Sequence, residues 1–342
     1  MHYLITGAGQ IGVQLVRDLT DSGHSVTVLR RSTASVPGAR TLSGDVADLR
    51  LLREAADGAS AIFHCVHSSY DHKAWLRDLP HREAAVMDVA AELDIPVVFP
   101  ESVCAYGEGA RSLTESSAAA PASPLGDVRA VLLAARASHT ARTISVIAAD
   151  LIGPTANPQS SVLQLLVMDP AGKGRRAWIM GDPDAARTFT YIPDMTRAMV
   201  AAAQNAEVVA AAGDAVHTVP AAPALTQREM AADAARAKGR KPAGVSRIPT
   251  WALRIVGLVS PLFRELAAQS YLWAHPSVLE PGMLARERIV EATPWTEVLE
   301  EWARGGVDSS GPDQRSTAPR SPALRRSTPP PPHPHRSASE SR

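Results

Sequence analysis

Apolar and polar residues follow two rhythms along the first half of the chain. Tyr3-Leu-Ile, Ser25-Val-Thr-Val-Leu29, Ala61-Ile-Phe-His64, Pro96-Val-Val-Phe99 and Thr143-Ile-Ser-Val-Ile147 are short, largely β-branched or aromatic runs. Runs of this length between turn residues predict buried strands. Between them, Val13, Val16 and Leu19 recur at helical spacing, and Leu49–Ala56, Arg82–Leu93 and Val128–Ala137 predict further helices. Strand and helix in alternation imply βαβ units and a parallel sheet. With right-handed crossovers this becomes a doubly wound α/β sheet of Rossmann type, with helices on both faces. The second half is less regular and mainly helical, with helices near Gln227–Ala237, Pro249–Gln269 and Trp295–Ala303. The stretch Trp251 to Leu266 is too apolar for an isolated surface helix, so it is expected to line a core or pocket; an apolar substrate is a weaker consequence. No internal repeat is visible.

Charge sharpens this picture. The 342 residues carry 35 Lys+Arg and 35 Asp+Glu, a formal net charge of zero. Nothing pulls the chain toward nucleic acid. Residues 306–342 differ from the rest, with 8 Pro, 8 Ser, 6 Arg, 3 acids and no aromatic. Such a segment cannot offset the entropy of ordering, and is expected to be a disordered tail. It reads as a dispensable extension or as a polyproline or basic interaction arm. Without it the chain has 29 basic and 32 acidic residues, a net −3. Cys65 and Cys104 cannot build a disulfide framework, which favours a reducing compartment. The N-terminus has no signal-peptide pattern and no apolar run reaches roughly 18 residues. The expectation is a cytoplasmic protein without a membrane partner.

The most informative motif is Gly7-Ala-Gly9-Gln-Ile-Gly12, a G-x-G-x-x-G between a predicted strand and a predicted helix. The first glycine permits a tight turn, the second lets backbone approach a pyrophosphate, and the third lets helix and strand pack closely. The helix N-terminus presents unpaired N–H groups to the phosphates. Gln10 and Ile11 belong to the same cofactor-binding turn. The bland alternative is a plain tight turn. The second strand ends Leu29-Arg30-Arg31-Ser32, with no acid to bond a ribose 2′-hydroxyl. Two guanidiniums and a hydroxyl suit a 2′-phosphate, so NADP is favoured over NAD. Asp45 is placed either to contact adenine or to cap a helix.

These residues resemble the short-chain dehydrogenase/reductase superfamily, in its extended and atypical branch of NAD(P)-dependent epimerase/dehydratase-like proteins. The resemblance runs from Tyr3 to about Ala303. Thr6-Gly-Ala-Gly-Gln-Ile-Gly12 looks like the family's opening turn. His64-Cys-Val66 stands at its strand-four motif beside the cofactor, and Glu101-Ser-Val-Cys-Ala-Tyr-Gly107 at its Ser-x-x-x-Tyr-Gly segment. Asp150-Leu-Ile-Gly-Pro154 is similar to the loop near the nicotinamide, and Arg187-Thr-Phe-Thr-Tyr-Ile-Pro-Asp194 to an element that returns the chain to the cofactor domain. The resemblance implies a Rossmann domain over 1–155 rejoined by 187–205, and a smaller, mainly helical substrate domain over 156–186 and 206–305. It also implies hydride transfer involving a small-molecule substrate, and admits a homodimer.

In such proteins a serine bonds the substrate oxygen, and a tyrosine four residues before a lysine is the acid/base. Ser102 falls at the serine position. Where the tyrosine string is expected, the chain reads Ser123-Pro-Leu-Gly-Asp-Val-Arg129. Leu125 stands for the tyrosine and Arg129 for the lysine. The residues four after the five tyrosines are Gly7, Ala74, Ala110, Met195 and His275, so no Tyr-x-x-x-Lys pair exists. Losing a positioned acid/base costs about 10²–10⁴ in rate. Tyr106 and Tyr70 are the substitutes to consider, ahead of His67 and Cys104; each has a structural alternative as a packing, loop or small buried residue. The site expected from sequence is thus Ser102, Tyr106 and Arg129 for chemistry, with Gly7, Gly9, Gln10, Ile11, Gly12, Arg30, Arg31, Asp45 and His64 for the cofactor. No Cys/His spacing suits zinc, and His64, His67 and His72 read as loop histidines, so no metal is expected. The rival reading is a dinucleotide-binding sensor or scaffold that has lost turnover.

Overall fold

The computed structural model describes residues 1–157, 161–258 and 260–305, with Thr250 and Arg254 described in backbone only. The residues 306–342, read above as a tail, lie outside this range. The N-terminal half reads β1 (His2–Thr6), α1 (Gln10–Asp21), β2 (Ser25–Arg30), β3 (Arg40–Ser43), α2 (Leu49–Ala56), β4 (Ile62–His64), α3 (His72–Leu93), β5 (Val97–Ser102), α4 (Pro124–Ala137) and β6 (Thr143–Ala148). All five expected strands form, with ends shifted by at most three residues. Helix α3 starts ten residues earlier than the apolar pattern indicates and carries Pro80 inside it. Asp71 caps it by accepting from the Ala74 N–H, a signal that the periodicity alone does not contain.

The rest of the chain adds β7 (Asp150–Ile152), α5 (Asp169–Gly172), β8 (Ala177–Met180), β9 (Ala186–Arg187), β10 (Phe189–Tyr191), α6 (Ile192–Gln204), α7 (Ala206–Val209), β11 (Asp214–Thr218), β12 (Leu225–Thr226) and α8 (Gln227–Ala237). It closes with β13 (Val245–Ile248), α9 (Thr250–Gly257), α10 (Pro261–Ala268), α11 (Tyr271–Ala274), α12 (Met283–Arg286) and α13 (Trp295–Arg304). The single helix expected over Pro249–Gln269 is two helices. Pro261, at the first position of α10, cannot donate to a preceding turn and breaks the run there.

Seven strands form one sheet in the order β11-β6-β5-β4-β1-β2-β3, and each pairing is parallel. The strand order reverses beside β1, which makes a doubly wound sheet with a topological switch point there. Strand alternation feeds two layers of helices. Tyr3 and Ile5 point to one face, where α1 supplies Leu15, Val16 and Leu19, and α6 supplies Met195, Ala198, Met199 and Ala202. Leu4 and Ile62 point to the other, against Leu52 of α2 and Val86, Val89 and Ala90 of α3. The seventh strand, β11, is not legible in the sequence, because Asp-Ala-Val-His-Thr carries little apolar character.

Among the described residues, three two-stranded sheets lie outside the main one: β10 with β7, β12 with β9, and β13 with β8. Arg187 fastens this region. It donates to Asp150 Oδ2 at 3.2 and 2.7 Å and to the Leu272 carbonyl. The apolar stretch after Trp251 is not a core helix. Trp251, Ile255 and Leu258 are exposed, while Leu253 and Leu266 face inward.

Candidate active site at the carboxyl edge of the sheet

The chain leaves β1 through Gly7, whose φ of +89° is a left-handed conformation that glycine adopts without strain. Its N–H donates to the Leu29 carbonyl at 2.8 Å. A Cβ on Gly7 would lie 2.8 Å from the Cys65 carbonyl oxygen, and one on Gly12 only 2.1 Å from that of Gly7. Both glycines are therefore fixed by protein packing. Gly9 is different, since a Cβ there would meet nothing within 4 Å. Gly9 is also the N-cap of α1 and supplies no side-chain acceptor, so the first-turn N–H groups of the helix face that open space. Gln10 reaches to the side and accepts from the Asn157 N–H at 2.8 Å. Ile11 packs on the core. This cradle fits a phosphate group.

At the same sheet edge, β2 ends in half-buried Arg30 and exposed Arg31. The Arg30 carbonyl accepts from Gly44, and the Arg31 carbonyl from Ser43 Oγ. Asp45 does not cap α2. Asp48 does, accepting from the N–H groups of Arg50 and Leu51. Asp45 instead holds Arg82 at 3.2 and 2.8 Å, a pairing that lowers its carboxyl pKa below the ordinary value. His64 is only 2 % exposed. Its Nδ1 lies 2.7 Å from Thr6 Oγ1, and its ring meets Phe99 edge-on. Burial lowers its pKa to about 4, so the ring is neutral. The side chain expected beside the cofactor is turned into the interior.

Ser102 ends β5 and caps the following 3₁₀ turn, its Oγ accepting from the Cys104 N–H at 3.2 Å and donating to Cys104 Sγ at 3.0 Å. The thiol donates to Gln269 Oε1 at 3.2 Å, and so does the Tyr70 hydroxyl, also at 3.2 Å. Ser102, Cys104, Tyr70 and Gln269 thus form one connected polar cluster. Gln269 is missed by sequence reasoning, because nothing in its local pattern marks a residue that the fold brings to Ser102 from the far end of α10.

Tyr106 is placed elsewhere. It is 2 % exposed, packs with Leu113, Ile147 and Leu272, and burial raises its hydroxyl pKa well above the usual phenol value. It is a packing side chain and does not join the Ser102 cluster. Leu125 is fully buried against Trp75, Leu79, Val128 and Leu132. Arg129 stacks over the Trp75 ring at 4.6 Å and approaches Glu101 Oε1 at 3.5 Å. Glu101 belongs to a buried charge network. Arg136 donates to both Glu83 oxygens, to Glu101 and to Ser145 at 2.8–3.0 Å, with its guanidinium over Phe99. Glu101 also accepts from the Ser102 N–H at 2.8 Å, which ties the network to the end of β5.

Among the described residues, one group has donor chemistry for a cation: the ligand atoms of Asp71, His72 and Glu265 lie within 4.8 Å of one another. Their charges are already engaged, Asp71 by Arg264 at 2.8 Å and Glu265 by His72 Nδ1 at 2.7 Å.

The model of the NAD dependent epimerase/dehydratase family matches residues 3–215. The chain belongs to this family. The epimerase/dehydratase match takes in the whole run from β1 to the start of β11, and so both the glycine turn and the Ser102 segment. Solved structures share the fold at low identity. A dTDP-glucose 4,6-dehydratase from Streptomyces venezuelae, solved with NAD, superposes with a TM-score of 0.68 at 20% identity, over 89% of this chain and 96% of that one. The UDP-glucose 4-epimerase of Thermotoga maritima, solved with UDP-glucose, gives 0.66 at 17% identity, over 89% and 98%. The UDP-N-acetylglucosamine 4-epimerase of Bacillus cereus gives 0.67 at 16%, over 89% and 100%. No curated protein sequence matches the chain. Among the described residues, no helix is long and apolar enough to cross a membrane.

Proposed function

We propose that this chain is an NAD(P)-dependent oxidoreductase of epimerase/dehydratase type that acts on a small molecule bearing a hydroxyl or carbonyl group. Residues 1–155 and 187–205 form the cofactor-binding part, and 156–186 with 206–305 the substrate part. The observation that carries the reading is the open space over Gly9, at the N-terminus of α1, on the same sheet edge as Ser102. Gly7, Gly9, Gln10, Ile11 and Gly12 hold the pyrophosphate. Arg30 and Arg31 take a 2′-phosphate, which makes NADP the preferred form. When bound, the nicotinamide dinucleotide supplies a hydride donor or acceptor. Ser102 binds the substrate oxygen. Leu125 replaces the family tyrosine and exchanges no proton; Arg129, held by Trp75 and Glu101, replaces the lysine as a fixed cation. Tyr70 is the phenol joined to Ser102 through Cys104 and Gln269. Burial raises its pKa, so the phenol stays protonated and donates a hydrogen bond, here to Gln269 Oε1.

A specific observation favours a second reading, a dinucleotide-binding sensor without turnover. Leu125 is sealed in an apolar cluster and Arg129 is committed to an acid, so neither offers acid/base chemistry. Fluorescence titration with NADPH and NADH, followed by a panel of nucleotide sugars and simple carbonyl compounds, separates the two. The enzyme reading expects turnover that Ser102→Ala abolishes and Tyr106→Phe leaves intact. Binding without turnover across the panel supports the sensor. A tenfold preference for NADH overturns the assignment of Arg30 and Arg31, whereas NADP preference predicts that Arg31→Ala weakens NADPH by about 1.5–3 kcal/mol and spares NADH.

A further inference from the structure

Exposed apolar side chains concentrate on the hairpin of α9 and α10. Trp251 is 66 % exposed, Ile255 57 % and Leu258 83 %, and Val256, Leu262 and Phe263 are also exposed. Trp251, Ile255 and Leu258 follow an i, i+4, i+7 spacing, which puts them on one stripe of α9. The hairpin is anchored from its other side, where Glu265 and Gln269 reach His72 and Tyr70. Its apolar stripe is therefore the outward face of a fixed element.

Along the sequence the charge of this stretch is one-sided, while in the fold Asp182 and Asp71 reach it from other elements. No Asp or Glu occurs between Asp233 and Glu265, while Arg236, Lys238, Arg240, Lys241, Arg247, Arg254 and Arg264 do. Arg247, just before the hairpin, and Arg264, within α10, remain half exposed or more even with their acid partners Asp182 and Asp71. An apolar stripe carrying a tryptophan, with cations and no acids in its own segment, matches an anionic bilayer surface. The apolar side chains enter the headgroup boundary and the cations face lipid phosphates. Helix α9 is eight residues long, which suits lying on a membrane and not crossing one.

We propose that the α9–α10 hairpin docks this protein on anionic membrane surfaces. The full chain is sedimented with vesicles of phosphatidylcholine alone or with about 30 % phosphatidylglycerol, at about 0.1 M and about 0.5 M salt. Binding is expected to the anionic vesicles at low salt. It should fall about tenfold or more in Ile255→Glu/Leu258→Glu, because each apolar side chain withheld from lipid forfeits a transfer gain of that order. Brominated lipid should quench tryptophan emission in the wild type, and Trp251→Phe should remove that quenching while retaining binding, a readout independent of how the double variant folds. Absence of binding overturns the proposal. So does binding that survives the double variant with no Trp251 quenching, and so does a dimer in solution that the double variant makes monomeric, which would assign the stripe to a second copy of the chain.

Discussion

Gly9 and Gly12 belong to one turn but should respond oppositely to the same methyl group. In Gly12→Ala the new Cβ lies 2.1 Å from the Gly7 carbonyl oxygen, inside any allowed contact and against backbone. Helix and strand must separate, at a cost of about 3 kcal/mol or more. For a chain of this size that lowers the melting temperature by roughly 6–12 °C. In Gly9→Ala the methyl meets nothing within 4 Å, and the residue already has φ −81°, which alanine adopts freely. Melting should stay near the wild-type value. The methyl instead occupies the space where a phosphate would approach the α1 N–H groups. Losing one charge-assisted hydrogen bond there costs about 1.5–3 kcal/mol, roughly a 10- to 150-fold weaker dissociation constant. Differential scanning fluorimetry gives the first quantity and NADPH fluorescence titration the second. A Gly9→Ala protein that melts early, or that binds NADPH like the wild type, would refute the assignment of this turn to the cofactor.

Two further outcomes follow from the buried charges. Arg136→Met leaves Glu83 inside the fold without its cation and Glu101 with Arg129 alone, and should cost about 3–5 kcal/mol, read as a lowered urea midpoint; a change under 1 kcal/mol would show that the network is not closed as described. His64 has its pKa lowered by burial from 6.5 to about 4. The unfolded chain takes up that proton below about pH 6.5 and the folded chain only near pH 4. Stability contributed by the neutral ring is therefore complete above pH 6.5 and lost as pH falls toward 4, by about 3 kcal/mol in all. His64→Gln should flatten that part of the pH–stability curve, and an unchanged slope in the variant would remove His64 as its source.

The fold was legible where strand periodicity and turn chemistry agree, as in β1, the glycine turn and α1. It was not legible in β11, whose residues become a strand only because β6 offers an open edge. Local geometry was readable where a motif demands a backbone shape, at Gly7 and Gly12, and where a strand ends, at Ser102. It was not readable where side-chain direction decides. His64 and Tyr106 occupy motif positions, yet the pleat of β4 and the turn after β5 aim both inward. Arg129 reads as standing for the lysine, and the sequence does not reveal that Glu101 lies beside it. The stretch from Trp251 to Leu266 reads as lining a core or a pocket, since hydropathy cannot tell a buried stripe from an outward one.

The place of α6 bears on how the protein is made. Its residues Met195, Ala198, Met199 and Ala202 cover Tyr3, Ile5, Ile144 and Val146, strands that leave the ribosome much earlier. Strand β6 is complete at Ala148, but the helix that roofs it ends only at Gln204. At about 5–20 residues per second, synthesis of residues 149–204 takes roughly 3–11 s, during which α1 alone covers that face of the nascent sheet and the α6 part of it lies open. The N-terminal half is thus not a module that can be clipped out at residue 155 and expressed alone. A fragment ending there would expose the apolar face that α6 covers, and should be insoluble or held by chaperones until the missing helix is supplied.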